Sequence, residues 1–183
     1  MRIRPEETQA VFIDFQERLM PAMSGREQCE ERGAMLMRGL KILEVPFLVT
    51  QQYTKGLGET VPAIREASGD GEDFSYFDKC TFSCIRDPAI REAVEKNGRK
   101  NVLIAGTEAH VCVLQTCIDL KEAGYRPVLV TDAIASRKES DRQIGIYRAM
   151  QEGALLTTAE AVLFELLVDS KNPHFREISK LVK

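Results

Sequence analysis

Asn101-Val102-Leu103-Ile104-Ala105-Gly106-Thr107-Glu108-Ala109-His110-Val111-Cys112 is the stretch that decides the fold. Val102 to Ala105 is a short apolar run of the kind a parallel strand buried on both faces requires, and Gly106 ends it. After Cys112 the residues Val113, Leu114, Cys117, Ile118 and Leu120 recur three and four apart, so they share one helical face. Gly124 stands where such a helix would be capped. The order is strand, tight loop, cysteine, helix, which is the repeating unit of a parallel α/β sheet.

A thiol in the first turn of a helix meets unpaired backbone N–H groups and the positive end of the peptide dipoles, and both favour thiolate. The same groups can hold an oxyanion. Cysteine is also among the most buried residue types, so each one has a plain reading as core. Cys117 fits that reading, and Cys112, next to the loop, fits the chemical one.

Upstream, Gln9-Ala10-Val11-Phe12-Ile13-Asp14 reads as a buried first strand ending in a carboxylate, which either looks into a site or caps the next loop. Asp14-Phe15-Gln16 lacks the second carboxylate of an Asp-x-Asp phosphatase motif. Glu27 to Glu44 is an amphipathic helix, and Phe47-Leu48-Val49-Thr50 a second strand. The polar loop from Gln51 to Thr60 leaves the same sheet edge and is expected to line a pocket. Its Gly56-Leu57-Gly58 lacks the third glycine of a dinucleotide fingerprint and reads as a turn, as does Gly69-Asp70-Gly71. A short strand within Phe74 to Ser83 leads into a loop. It carries Lys79, which is either solvated or in need of an anion.

Asp87-Pro88 to Gly98 reads as a capped helix. A fifth strand lies at Arg126 to Asp132, a helix at Ser140 to Glu152 and a sixth strand at Ala154 to Thr157. Thr157 to Glu160 has capping-box spacing ahead of a last apolar helix, Ala161 to Val168. The tail is a turn and a short helix, with His174 peripheral.

The strand–helix rhythm runs without a linker, so residues 1–183 are expected to form one domain, long enough for a core without disulfides. A net charge of -3, with 29% charged residues, gives no electrostatic case for nucleic acid or an anionic membrane. A small-molecule substrate is the expected partner. Five cysteines in no regular framework fit reduced thiols in the cytoplasm. The N-terminus lacks a signal-peptide core, and no window is long and apolar enough for a membrane span. Cys80 and Cys84 have no second pair at zinc-finger spacing, so no metal is expected. Cys112 and Cys117, five apart on one helix, sit awkwardly for a redox disulfide.

A parallel sheet would gather Asp14, Lys79 and Cys112 at one edge. The carboxylate can take the thiol proton, and the ammonium can hold the carboxylate ionised. His110, two residues before the cysteine, is the competing base. Only two histidines are present in the chain.

These residues resemble the Asp, Lys and Cys motifs of the isochorismatase-like cysteine hydrolase family, in order and over nearly the whole chain. Within it the chain is most similar to the isochorismatase domain-containing branch, through Gln51 to Gly58, Thr107 to Cys112 and Asp132 to Arg137. The resemblance implies a three-layer α/β/α fold with a six-stranded parallel sheet of Rossmann-type topology, assembled as a homo-oligomer. It also implies a cysteine hydrolase acting on a small C–N or ester substrate without a cofactor, with Asp14, Lys79 and Cys112 catalytic. A cis peptide at Thr107-Glu108 and an oxyanion hole of the Glu108 and Cys112 N–H groups belong to the same implication. Phe15, Gln16, Gln52, Tyr53, Thr107 and His110 are the expected pocket residues. Nicotinamidases of the superfamily carry an Asp-x-His metal motif after the second strand, whereas this chain has Gln51-Gln52-Tyr53. The alternative is a silent metabolite- or partner-binding protein on the same fold.

Overall fold

Side chains in a strand alternate between faces, and here both faces are apolar, which forces a layer of helices on each. In the computed structural model, which describes residues 2–69, 71 and 74–183, strand β1 (Thr8–Ile13) is buried along its whole length. Ala10 and Phe12 enter one core, and Val11 and Ile13 the other.

Five more strands join it: β2 (Phe47–Gln52), β3 (Phe77–Lys79), β4 (Asn101–Thr107), β5 (Arg126–Ala135) and β6 (Leu155–Thr157). All pair in parallel in the order β3-β2-β1-β4-β5-β6. One core packs helix α1 (Arg26–Ile42) against the sheet, together with α3 (Pro62–Ser68), α7 (Ala159–Leu167) and α8 (Phe175–Leu181). The other packs α4 (Pro88–Asn97), α5 (Leu114–Glu122) and α6 (Glu139–Gln151). This is the expected three-layer α/β/α sandwich. No helix among the described residues is long and apolar enough to cross a membrane.

Three local departures from the sequence reading have physical causes. Within and after the loop expected at 51–60, the chain forms α2 (Thr54–Leu57) and α3. Pro62 takes the first position of α3, where a missing N–H costs nothing. Asp70, centre of an expected turn, lies outside the described residues. The last helix is capped by Thr158, whose hydroxyl accepts from the Ala161 N–H, rather than by a box starting at Thr157.

The third departure concerns the cysteine. The helix expected to begin there starts at Leu114, and Ala109–Val113 forms a wider turn of π geometry ahead of it. The Val113 N–H donates to the Glu108 carbonyl, five residues back, at 3.2 Å.

Candidate active site

The strand order reverses direction between β1 and β4, and an open parallel sheet has its crevice at such a point, beyond the carboxyl ends of the strands. Asp14 leaves β1 there and Cys112 follows β4. The two strands approach closely because Gly106 has no side chain: a Cβ at that position would lie 1.9 Å from the Ile13 carbonyl oxygen, and its φ is +127°. Lys79, last residue of β3, reaches in from two strands away.

Asp14 adopts the left-handed conformation (φ +53°), which aspartate tolerates better than most residues. Its N–H donates to the Thr50 carbonyl, and its own carbonyl accepts from the Thr107 hydroxyl at 2.7 Å. The carboxylate is fixed at both oxygens. Thr50 Oγ1 donates to Oδ1 and Lys79 Nζ to Oδ2, each at 2.8 Å. The Lys79–Asp14 pair is fully buried at its side chains. Lys79 also donates to Gln52 Oε1 at 2.6 Å and to the Thr81 carbonyl at 3.2 Å. Burial disfavours the ammonium, but Asp14 and the neighbouring thiols outweigh it and hold the Lys79 pKa above its ordinary value.

The Asp14 carboxylate lies close enough to the Cys112 thiol to oppose its ionisation. Only 6% of the residue is exposed. Burial pushes the thiol up to about 12, the Asp14 charge adds to this, and Lys79 offsets part of it. The resting group is therefore a neutral thiol, not the thiolate expected for a first-turn cysteine. Burial beside a carboxylate dominates.

The other expected residues divide. Gln52 touches the centre through Lys79 and anchors its amide on the Cys80 carbonyl. Tyr53 stands 54% exposed at the rim, its N–H donating to the Lys79 carbonyl. His110 is half-buried, with Nδ1 2.9 Å from Ser136 Oγ. The Glu108 carboxylate turns to Arg137 Nε at 3.0 Å, and the Thr107–Glu108 peptide is cis. Thr107 is wholly buried and supports Asp14 rather than lining a pocket.

Two expected pocket residues do not face the site. Phe15 is wholly buried in the core on the α1 side, so tightly that a Cβ on Gly33 would lie 2.8 Å from its ring. Gln16 is also buried, bracing Gln52 and Gly58 through their backbones.

Three contributors escaped the sequence reading. Thr50 fixes Asp14. Cys84 lies fully buried with its thiol 4.0 Å from Thr50 Oγ1, and burial pushes its pKa up to about 11. Thr116 links the two thiol-bearing segments, accepting from the Cys84 N–H at 3.0 Å and donating to the Cys112 carbonyl at 2.7 Å. A polar residue directly after an apolar run, as Thr50 is after Phe47-Leu48-Val49, is the signal that was available.

In the region where nicotinamidases carry their metal motif, the Gln51 and Gln52 amides are committed to protein partners. Among the described residues no three His, Cys, Asp or Glu side chains converge as metal ligands. A groove of about 550 Å³ lined by Arg38, Ile42, Glu177 and Leu181 lies on the α1 side, away from Cys112.

A family model of the isochorismatase domain matches residues 8–161, a span containing all six strands. The secreted isochorismatase effector Isc1 of Phytophthora sojae is 41% identical over 150 residues, 81% of this chain and 71% of that protein. Human isochorismatase domain-containing protein 2 is 33% identical over 183 residues, 100% of this chain and 86% of that one. A Caenorhabditis elegans structure described as MAR1 ribonuclease superimposes with a TM-score of 0.92 at 37% identity, covering 100% of this chain and 92% of that chain.

Proposed function

The chain belongs to the isochorismatase family, whose members are typically hydrolases, and on that premise we propose that it cleaves a small amide or ester through a cysteine nucleophile. The observation that carries this reading is the buried Lys79–Asp14 pair set against the Cys112 thiol. A buried ion pair is a poor means of gaining stability, and a perturbed cluster of this kind in a crevice marks a functional site.

Asp14 acts as base. As Cys112 Sγ bonds to the substrate carbonyl carbon, the thiol proton passes to the Asp14 carboxylate, so no preformed thiolate is required. The N–H groups of Glu108 and Cys112 hold the resulting oxyanion. Asp14 returns the proton to the leaving nitrogen or oxygen as its bond to carbon breaks, which leaves a thioester. Water then attacks the thioester while Asp14 takes its proton, and the released thiolate recovers that proton. Lys79 balances the charge on Asp14 throughout.

Gln52, Tyr53 and His110 form the walls. A small molecule is the substrate this reading assigns, and the five free cysteines suit the cytoplasm. The acidic balance of the chain is a poor match for a phosphodiester backbone, so RNA, suggested by the name of the C. elegans neighbour, is a comparison substrate.

The test screens amides, esters and RNA for turnover and maps the peptides labelled by iodoacetamide, in wild type, Cys112→Ala and Asp14→Asn. We expect turnover of an amide or ester to fall by at least about 1,000-fold in either variant, with Cys112 labelled ahead of Cys117. Undiminished turnover in Cys112→Ala would overturn the reading. A Cys112 as slow as Cys117, with no turnover, would identify a binding protein on the same fold.

A further inference from the structure

Asp132 to Arg137, the last part of β5 and the two residues after it, takes no part in the hydrolytic steps. Its position depends on an irregularity in the sheet. Ile104 of β4 stands opposite Leu129, but Gly106, two residues later, stands opposite Ile134, five residues later. The surplus residues form a bulge, a device that re-aims the end of a strand. Arg142 of α6 braces it, donating from Nε to the Ile134 carbonyl at 3.0 Å and from Nη2 to the Thr131 carbonyl. Asp132, within the bulge, accepts the Ala159 N–H at 2.8 Å, which ties it to the start of α7. Beyond the bulge Ala135 pairs with Thr107, and the next two residues reach the cysteine turn.

Both of them grip that turn. Ser136 is wholly buried, with its Oγ 2.9 Å from His110 Nδ1 and its carbonyl accepting the Ser24 N–H. Arg137 aims two donors at one oxygen, its backbone N–H at 3.2 Å and its Nε at 3.0 Å from Glu108 Oε2. The Glu108 side chain is 12% exposed and that of Arg137 62%. An ion pair so open to water contributes little to folding, so stability does not account for it. What it fixes is the carboxylate of the very residue whose N–H, on the hydrolase reading, receives the oxyanion. Left unpaired, that negative charge would oppose an oxyanion forming beside it.

Resting on that reading, we propose that Arg137 is a positioning residue for acyl transfer: it neutralises and immobilises the Glu108 carboxylate, so that the Glu108 N–H stays aimed at the oxyanion.

Two reactions of the same sulfur test this. Acetyl transfer from p-nitrophenyl acetate passes through an oxyanion as Cys112 Sγ bonds to the acyl carbon and p-nitrophenolate leaves. Alkylation by iodoacetamide displaces iodide from a saturated carbon and forms none. Both rates are measured on the full chain, with the modified peptide mapped, in wild type, Arg137→Met, Arg137→Lys, Glu108→Ala and the Arg137→Met, Glu108→Ala double variant. Arg137→Met should slow acetylation of Cys112 about 10- to 100-fold, the loss expected of a misaimed oxyanion donor. Its alkylation rate and melting temperature should stay close to those of wild type. Arg137→Lys, which keeps a cation beside Glu108, should recover part of the rate. In the Glu108→Ala background Arg137→Met should cost nothing further, because the group it acts through is gone.

Equal losses in acetylation and alkylation would mean that Arg137 merely shapes the turn, and unchanged acetylation that it does nothing for the reaction. Either result overturns the proposal and leaves the hydrolase reading standing. A wild type that is not acetylated at Cys112 would instead remove the hydrolase reading, and this proposal with it.

Discussion

Both oxygens of Asp14 are occupied before any substrate arrives, one by Lys79 and one by Thr50. Thr50 is the less conspicuous of the two, and its hydroxyl offsets part of the negative charge that opposes ionisation of Cys112. Thr50→Val should leave that charge opposing ionisation of the thiol, slowing alkylation of Cys112 about 3- to 10-fold at pH 9, with Thr50→Ser restoring it. The pH profile of labelling decides the point: a merely structural loss would lower the melting temperature without moving the midpoint. Asp14, Lys79 and Cys112 were legible in the sequence because each interrupts or ends an apolar run where a parallel sheet gathers its strand ends. Phe15 and Gln16 misled through adjacency. The left-handed turn at Asp14 swings the following backbone away, sending the ring of Phe15 into the core on the α1 side.

Secondary structure was most readable where an apolar run, a helical period or a pair of caps was clear, as in the strands around Val11, Ile104 and Val128, the amphipathic α1 and the capped α4. It was least readable where a few residues depend on tertiary support. The four-residue helix α2 has no period to detect, and its lead-in, Tyr53, takes φ +41°. The wide turn of Ala109–Val113 has no sequence signature of its own, and α6 packs closely against it at Gly145. Gly145→Ala probes that contact. The added methyl meets backbone on the cysteine turn, which yields less readily than a side chain. Crowding should exceed the helix-propensity gain of alanine, for a net cost of about 1–2 kcal/mol. A melting temperature lower by about 2–8 °C is expected, together with a changed rate of Cys112 labelling. A more stable variant with unchanged labelling would mean that α6 does not shape the turn.

Across the whole molecule the buried thiols set a limit on the alkaline side. Unfolded thiols ionise near 9.0, whereas burial holds Cys84 to about 11 and Cys112 and Cys117 to about 12. In that interval the folded chain keeps protons that the unfolded chain has released. Stability should therefore be level with respect to these groups below pH 9 and fall above it, by at most about 1.4 kcal/mol per pH unit for each thiol. Urea titrations from pH 7 to 10.5 should show this, and the slope should lessen when Cys84 and Cys117 are both replaced by alanine; an unchanging midpoint would contradict it. The placement of β1 has a consequence for biosynthesis. It leaves the ribosome ahead of the other five strands of the sheet but lies inside it, paired with β2 on one side and with β4 on the other. At ordinary elongation rates its second edge waits roughly 5–20 s for Thr107 to be made. During that interval the nascent chain displays an open apolar strand, so a chaperone that shields strand edges should matter more to the yield of this protein than to its stability once complete.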